Sequence, residues 1–200
     1  TVIFEIIDMF WVGHLGADAI AAISTSSYFI WMLRGLAMAV ATGSLALVSR
    51  RTGEKNESGL LSALTHGLLS TFVFSVASIA AFFPVAVNVY RWLSLEPVVA
   101  ELAVEYSLVF LAGAVFVYMM MTLEFVIRGL GDTRTPMIIT GISLLLNIVL
   151  DPIFMFNFGM GLKGAAYATI CAQAIGALLM AVELLRKLPA LNRKLSASRS

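Results

Sequence analysis

The chain is short of charge. Of its 200 residues only 12% are Asp, Glu, Lys or Arg, while 60% are hydrophobic and the mean hydropathy is +0.94. That balance excludes an ordinary soluble domain and requires an integral membrane protein, with the lipid bilayer as its first partner. The only cysteine, Cys171, excludes an internal disulfide and a cysteine-built metal cluster, and is expected to be a small buried thiol. A formal net charge of +1 without a dense basic tract argues against nucleic acid as a partner. No basic n-region or small-residue cleavage site precedes the first apolar residues, which begin at Val2. Thr1 to Gly13 is too short to span a bilayer alone and reads as the end of a helix that begins before Thr1.

What is present is apolar runs broken by short polar connections. After Gly13 to Asp18, a second span is expected from about Ala19 to Val48, rich in small residues that let membrane helices approach closely. It carries Arg34 and the cluster Ser24 to Ser27. Arg50 to Ser58 reads as a charged loop, Leu60 to Val87 as a third span, and Asn88 to Glu101 as a polar break. A fourth span with Tyr106, Tyr118, Thr122 and Glu124 runs to about Ile127, and Arg128 to Pro136 is a loop by its glycine and proline content. The fifth span, Pro136 to Phe158, is long enough at 1.5 Å per residue to cross a hydrocarbon core of roughly 30 Å. A turn through Gly159 and Gly161 leads to a sixth span, Ala165 to Leu185, and Arg186 to Ser200 is a basic tail.

The fifth span most needs explaining. Thr140, Ser143, Asn147 and Asp151 follow three-then-four spacing and share one helix face. An ionised Asp151 inside a membrane is costly, so that face should meet a polar cavity or a partner. Pro152 has no amide hydrogen for the carbonyl of Ile148, which adds a free acceptor nearby.

Lysines and arginines concentrate after spans two and four and in the tail, with only Arg91 and Lys163 on the other side. The first set should be cytoplasmic, tail included. Counting inward from the outer ends then puts Asp8, Tyr106, Asp151 and Thr169 at one level, roughly 8 to 12 Å below the outer surface.

Four pieces carry a family resemblance: Asp8-Met9-Phe10-Trp11-Val12-Gly13-His14-Leu15-Gly16, the run Arg128 to Met137, Asn147 to Phe154, and Gly164 to Thr169. In order and spacing they resemble the multidrug and toxic compound extrusion (MATE) transporters, in particular the branch that includes DinF. The resemblance implies an all-α polytopic fold: a six-transmembrane-helix bundle equivalent to the amino-terminal lobe of a twelve-helix, two-lobed transporter. Residues 1–185 would form that lobe and 186–200 the start of the cytoplasmic interlobe linker, with the carboxy-terminal lobe as the missing partner. The function implied is export of organic cations or amphipathic drugs across the plasma membrane in exchange for H+ or Na+, with no other cofactor. The family's cation site maps onto Asp8, Asn147, Asp151, Tyr106 and Thr169, with the Ala165 carbonyl as a further ligand.

The residue chemistry agrees. Two neighbouring carboxylates in a low dielectric cannot both stay ionised cheaply, so one should hold a proton or share a cation. Sodium, a hard cation, suits the oxygens of Asp8, Asn147, Asp151 and Thr169. The bland alternative is a hydrogen-bond cluster that fastens helices together. Glu5 is either a further titrating group or faces the missing lobe and its substrate. Arg34 and Glu124 read as an internal ion pair, unless Glu124 pairs with Arg128 one turn on. His14 is expected to be a solvated loop residue.

Other classes compete. Gly129-Leu130-Gly131-Asp132 matches the Gly-x-Gly-Asp signature of intramembrane aspartyl proteases, but Asp132 falls in a charged loop with no second aspartate at its depth. A lipid-linked saccharide flippase of the same superfamily should line its cavity with more basic residues than Arg34. A six-helix module acting as a homodimer is the remaining alternative.

Overall fold

The computed structural model describes residues 2–93 and 95–197, and the side chains of these except at 2–5, 57, 91 and 189–197. All regular structure among the described residues is helical. Helix α1 (Val2–Val12) ends in a single 3-10 turn (Gly13–Leu15) and is followed by α2 (Ala17–Gly53) and α3 (Glu57–Trp92). Helices α4 (Pro97–Ala112) and α5 (Ala114–Gly129) form one path bent by 52° at Gly113. Next come α6 (Arg134–Pro152), a π-helical turn (Ile153–Asn157) and α7 (Leu162–Ala197). Four helical stretches are long and apolar enough to cross a membrane, the bent α4–α5 pair makes a fifth, and α1 is a shorter apolar helix. These are the six expected segments, in the expected order.

Several boundaries differ from the sequence reading, each for a local reason. Helix α2 continues through Arg50 and Arg51, which pair with Glu54 at 2.8 and 2.9 Å just past the helix end. At 37 residues it is about 55 Å long, so it projects well beyond a hydrocarbon core of roughly 30 Å. Helix α3 runs through Pro84 to Trp92, because one missing amide hydrogen removes a single helical bond where neighbouring turns are held by packing. The fourth span is bent rather than straight. Gly113 sits so close to Ile170 of α7 that a Cβ there would lie 2.4 Å from Ile170 Cδ1. Helix α7 continues to Ala197, into the stretch read as the linker.

The bundle is layered. Half of the most apolar window of α7 is buried, against 17% for α3, so α7 is central and α3 peripheral. Leu69, Phe72, Val73, Val76 and Phe83 of α3 point outward, as a lipid-facing surface requires. Polar side chains join the helices inside. Thr71 and Thr122 hydroxyls meet at 2.9 Å between α3 and α5, and Tyr90 meets Ser107 at 2.5 Å between α3 and α4. Such contacts contribute modestly in an apolar surround, about 0.6 kcal/mol on average.

Asp132 is part of this framework. Its carboxylate accepts the backbone N–H groups of Arg134 (2.9 Å) and Thr135 (3.0 Å) and the Thr135 hydroxyl (2.6 Å), which caps the first turn of α6. It also receives Lys187 Nζ of α7 at 2.5 Å. Lys187, then Thr135, hold the Asp132 carboxyl well below the usual carboxylate range. A depressed folded value means the stabilisation is present above the unfolded carboxylate pKa and is lost as pH falls through the folded one. Asp132→Ala should therefore lower the thermal midpoint at pH 7, by the roughly 0.5–2 kcal/mol of a lost helix cap. The gap to wild type should close as the pH drops below about 4. A midpoint difference independent of pH would show that the Lys187 pairing contributes nothing.

Candidate functional site

Three helices bring the site together. Asp8 comes from the last turn but one of α1, Asn147 and Asp151 from α6, and Thr169 with Ala165 from α7. All are buried, with Asp8 3% exposed and Asn147, Asp151, Thr169 and Ala165 at 0%. The expected stripe on α6 faces inward: Ser143, Asn147 and Asp151 are buried and Thr140 is half-buried.

Asn147 is the hub. Its Nδ2 donates to Asp151 Oδ1 at 2.9 Å and lies 3.4 Å from both Asp8 Oδ1 and Thr169 Oγ1. The Thr169 hydroxyl lies 3.0 Å from the Ala165 carbonyl and 3.2 and 3.5 Å from the two Asp8 oxygens. The Asp8 and Asp151 carboxyls thus meet at the same Asn147 amide.

The side-chain hydrogens do not suffice. Asn147 offers two and Thr169 one, against four carboxylate oxygens and one oxygen each from Asn147, Thr169 and the Ala165 carbonyl. Asn147 Oδ1 and Asp151 Oδ2 are buried and meet no protein donor. An acceptor-rich, donor-poor cluster of this kind is completed by a proton, a cation or water.

The backbone around Asp151 is shaped for it. Pro152 cannot donate to Ile148, Ile153 N–H turns to Leu150, and the chain widens into the π-helical turn before Phe158. Gly159 and Gly161, at φ 64° and 57°, reverse the chain. Helix α7 then starts against the back of the π turn, with Gly164 in contact with the backbone of Phe154 and Met155.

Tyr106 joins the site differently. It shares with Asp8 a cavity of about 330 Å³ lined also by Ser24, Ser27, Trp31 and Arg34. The structure therefore places it at the wall of that cavity. Ser24, Ser27, Tyr28, Trp31 and Arg34 fall on one face of α2 at three- and four-residue steps, the signal by which sequence reading could have assigned them to this cavity. The Arg34 guanidinium lies 5.6 Å from the Phe110 ring centroid. Glu124 pairs with Arg128 one turn on, the local i,i+4 pair that was one of the two alternatives. His14 is exposed as expected, but its ring packs with Phe10, Trp11 and Phe156 instead of standing free in solvent. The Glu5 side chain lies outside the described residues, as do those of Arg91, Arg193, Lys194 and Arg199.

An all-helical, apolar bundle closed around a buried acidic cluster defines a multi-pass membrane protein with an internal polar site. Residues 1–153 match the MatE family model, and the chain belongs to that family, whose members are transporters and not enzymes. It is 31% identical over 182 residues to a probable multidrug resistance protein, NorM, of Thermotoga maritima, covering 88% of this chain and 39% of that protein. It is 28% identical over 172 residues to an FAD transporter of Shewanella oneidensis, covering 84% and 38%. Among solved structures, the outward-facing conformation of a multidrug resistance MATE transporter matches with a TM-score of 0.87 at 30% identity, covering 92% of this chain and 41% of that one. An inward-facing conformation matches at 0.85 and 30%, covering 90% and 41%. The chain thus spans about 40% of the length of its relatives.

Proposed function

We propose that this bundle is the amino-terminal lobe of a cation-coupled exporter, and that Asp8, Asn147 and Asp151, with Thr169 and the Ala165 carbonyl, form its coupling site. The surplus of buried oxygens over hydrogens carries this reading. Either H+ or Na+ supplies the missing positive charge, and the two compete for the same oxygens. Asp8 belongs to both the cluster and the cavity. Filling the cluster withdraws its charge from the cavity, and emptying the cluster returns it. An organic cation in the cavity and the coupling ion in the cluster therefore oppose each other, which is the requirement of exchange. Helix α1 meets the bundle through Asp8, Trp11 and the buried Val12, so a shift of this helix carries Asp8 with it.

A second lobe would complete the central cavity, in line with the coverage of about 40% of each relative. With the loops rich in Lys and Arg inside, the tail is cytoplasmic and the coupling site lies nearer the outer face. Relatives that adopt outward- and inward-facing forms support alternating access as the cycle.

A second reading of the cargo is favoured by one observation. Arg34 is 9% exposed and lines the same cavity as Asp8, and a relative carries FAD, an anion. Proteoliposomes of the full-length protein, loaded with either a fluorescent organic cation or a flavin nucleotide, should separate the two under imposed H+ or Na+ gradients. Cation efflux driven by one gradient supports the main reading and names the ion. Flavin efflux alone would transfer the assignment to anionic cargo.

A further inference from the structure

The cluster around Asp151 is sealed by protein, yet a coupling ion has to enter from one side and leave on the other. The cavity at Asp8 offers one approach. A second cavity, of about 250 Å³, lies between α2, α5, α6 and α7; its walls include Glu124, Thr140 and Gln173, together with Arg34, which also lines the first cavity. Thr140 is about 9 Å in from the start of α6, at 1.5 Å per residue, and so lies on the inner half of the helix. Its hydroxyl is buried and meets no protein partner.

Between this cavity and Asn147 the two helices are closely packed, and the groups that meet there are polar side chains and a glycine, bordered by Met120. On α6 the sequence of side chains is Thr140, Ser143, Asn147, Asp151, and on α7, running the other way, Gly176, Gln173, Thr169. Ser143 is buried and bonds only to its own helix, at 3.1 Å to the Ile139 carbonyl, so its lone pairs remain available. Gly176 stands directly against it: a Cβ there would fall 2.3 Å from Ser143 Oγ. Unpartnered oxygens mark both ends of the step, Thr140 Oγ1 at the cavity and Asn147 Oδ1 at the cluster. Buried polar atoms without protein partners are places where water or a passing cation is stabilised. The inner cavity carries both signs of charge, Arg34 on α2 and Glu124 on α5, the latter 20% exposed and paired with Arg128, so a cation there meets a balanced wall and its path depends on the Thr140 and Gln173 oxygens.

We propose that the Glu124–Thr140–Gln173 cavity is the inner exit chamber of the coupling ion, reached from Asp151 along Asn147 and Ser143. A sodium ion or proton leaving the cluster passes to the Ser143 and Thr140 oxygens and on to water in the chamber, and the carboxylates remain ionised behind it. The proposal rests on Asp8, Asn147 and Asp151 being the coupling site, and it adds the path by which that site is emptied.

Two measurements on the full-length protein in proteoliposomes test it. In a background with Cys171→Ala and other cysteines removed, Thr140→Cys should react with a small membrane-impermeant thiol reagent added on the cytoplasmic side. Absence of labelling from that side would overturn the proposal. Separately, Thr140→Val and Gln173→Leu should slow ion-driven exchange about tenfold, the loss of one stabilised polar step, while sodium or protons still protect the protein against heat as in wild type. Thr140→Ser should restore the rate, which a packing defect would not allow. Wild-type exchange in both apolar variants sinks the exit path and leaves the coupling site standing, whereas wild-type exchange in Asp151→Asn sinks the coupling site itself.

Discussion

Asp151→Asn should abolish coupled exchange while the protein remains folded. Asn has the shape of Asp, so the contact with Asn147 at 2.9 Å can be kept by turning the amide. The variant adds hydrogens to a cluster whose surplus is in oxygens, and that satisfies the buried acceptors without any ion. Losing one member of a buried charged set costs about 3–5 kcal/mol of the interaction, on the order of a hundred- to a few thousandfold in ion affinity. Stability should not fall, because a buried carboxylate is replaced by a neutral side chain that needs no counter-charge. Two readouts check this. Exchange in proteoliposomes should vanish, and the coupling ion should raise the thermal midpoint of wild type, through preferential binding to the folded form, but not that of the variant. A variant that exchanges normally would make the cluster a fastener of helices and nothing more.

The polar stripe, the acidic pair and the level they share are legible in the sequence because a membrane makes each intramembrane polar residue conspicuous. Asp8 and Asp151 are far apart in sequence, but lipid forbids both from facing outward, and depth counting from the two outer turns places them together. Thr169 follows from the depth count and the family resemblance, and the Ala165 carbonyl from the resemblance alone; the Thr169 hydroxyl lies within reach of both Asp8 and that carbonyl. Tyr106 shows the limit of depth as a guide. It lines the same cavity as Asp8, a placement that depth alone does not give, because depth fixes a residue's height and not its direction around the helix.

What stayed hidden depends on close approach between helices. The 52° bend in the fourth span lies at Gly113, one glycine in an apolar run, and nothing in that run says that Ile170 will press on it. The π-helical turn after Pro152 was likewise unreadable. Proline announces a missing hydrogen bond, but whether the chain kinks, tightens or widens is decided by what packs behind it. Here that is the start of α7.

Gly164→Ala should accordingly be the most damaging small substitution outside the acidic residues. A Cβ at 164 would stand 2.8 Å from Met155 N, Phe154 C and Phe154 O at once. Backbone atoms cannot rotate away, so either α7 or the π turn has to shift, and the turn is joined directly to Asp151. Forcing an extra methyl into such a contact costs about 1–3 kcal/mol. The control is Gly43→Ala in α2, where nothing lies within 4 Å of the added atom. There alanine should be neutral or stabilising, by up to about 1 kcal/mol of helix propensity. The thermal midpoint of Gly164→Ala should fall, and its protection by the coupling ion should weaken as well, because the displacement reaches Asp151 through Ile153 and Pro152. A variant that melts like wild type would show that the start of α7 has room to move away from the π turn. One that melts lower but keeps full ion protection would show that the geometry of Asp151 is set by α6 and α1 alone.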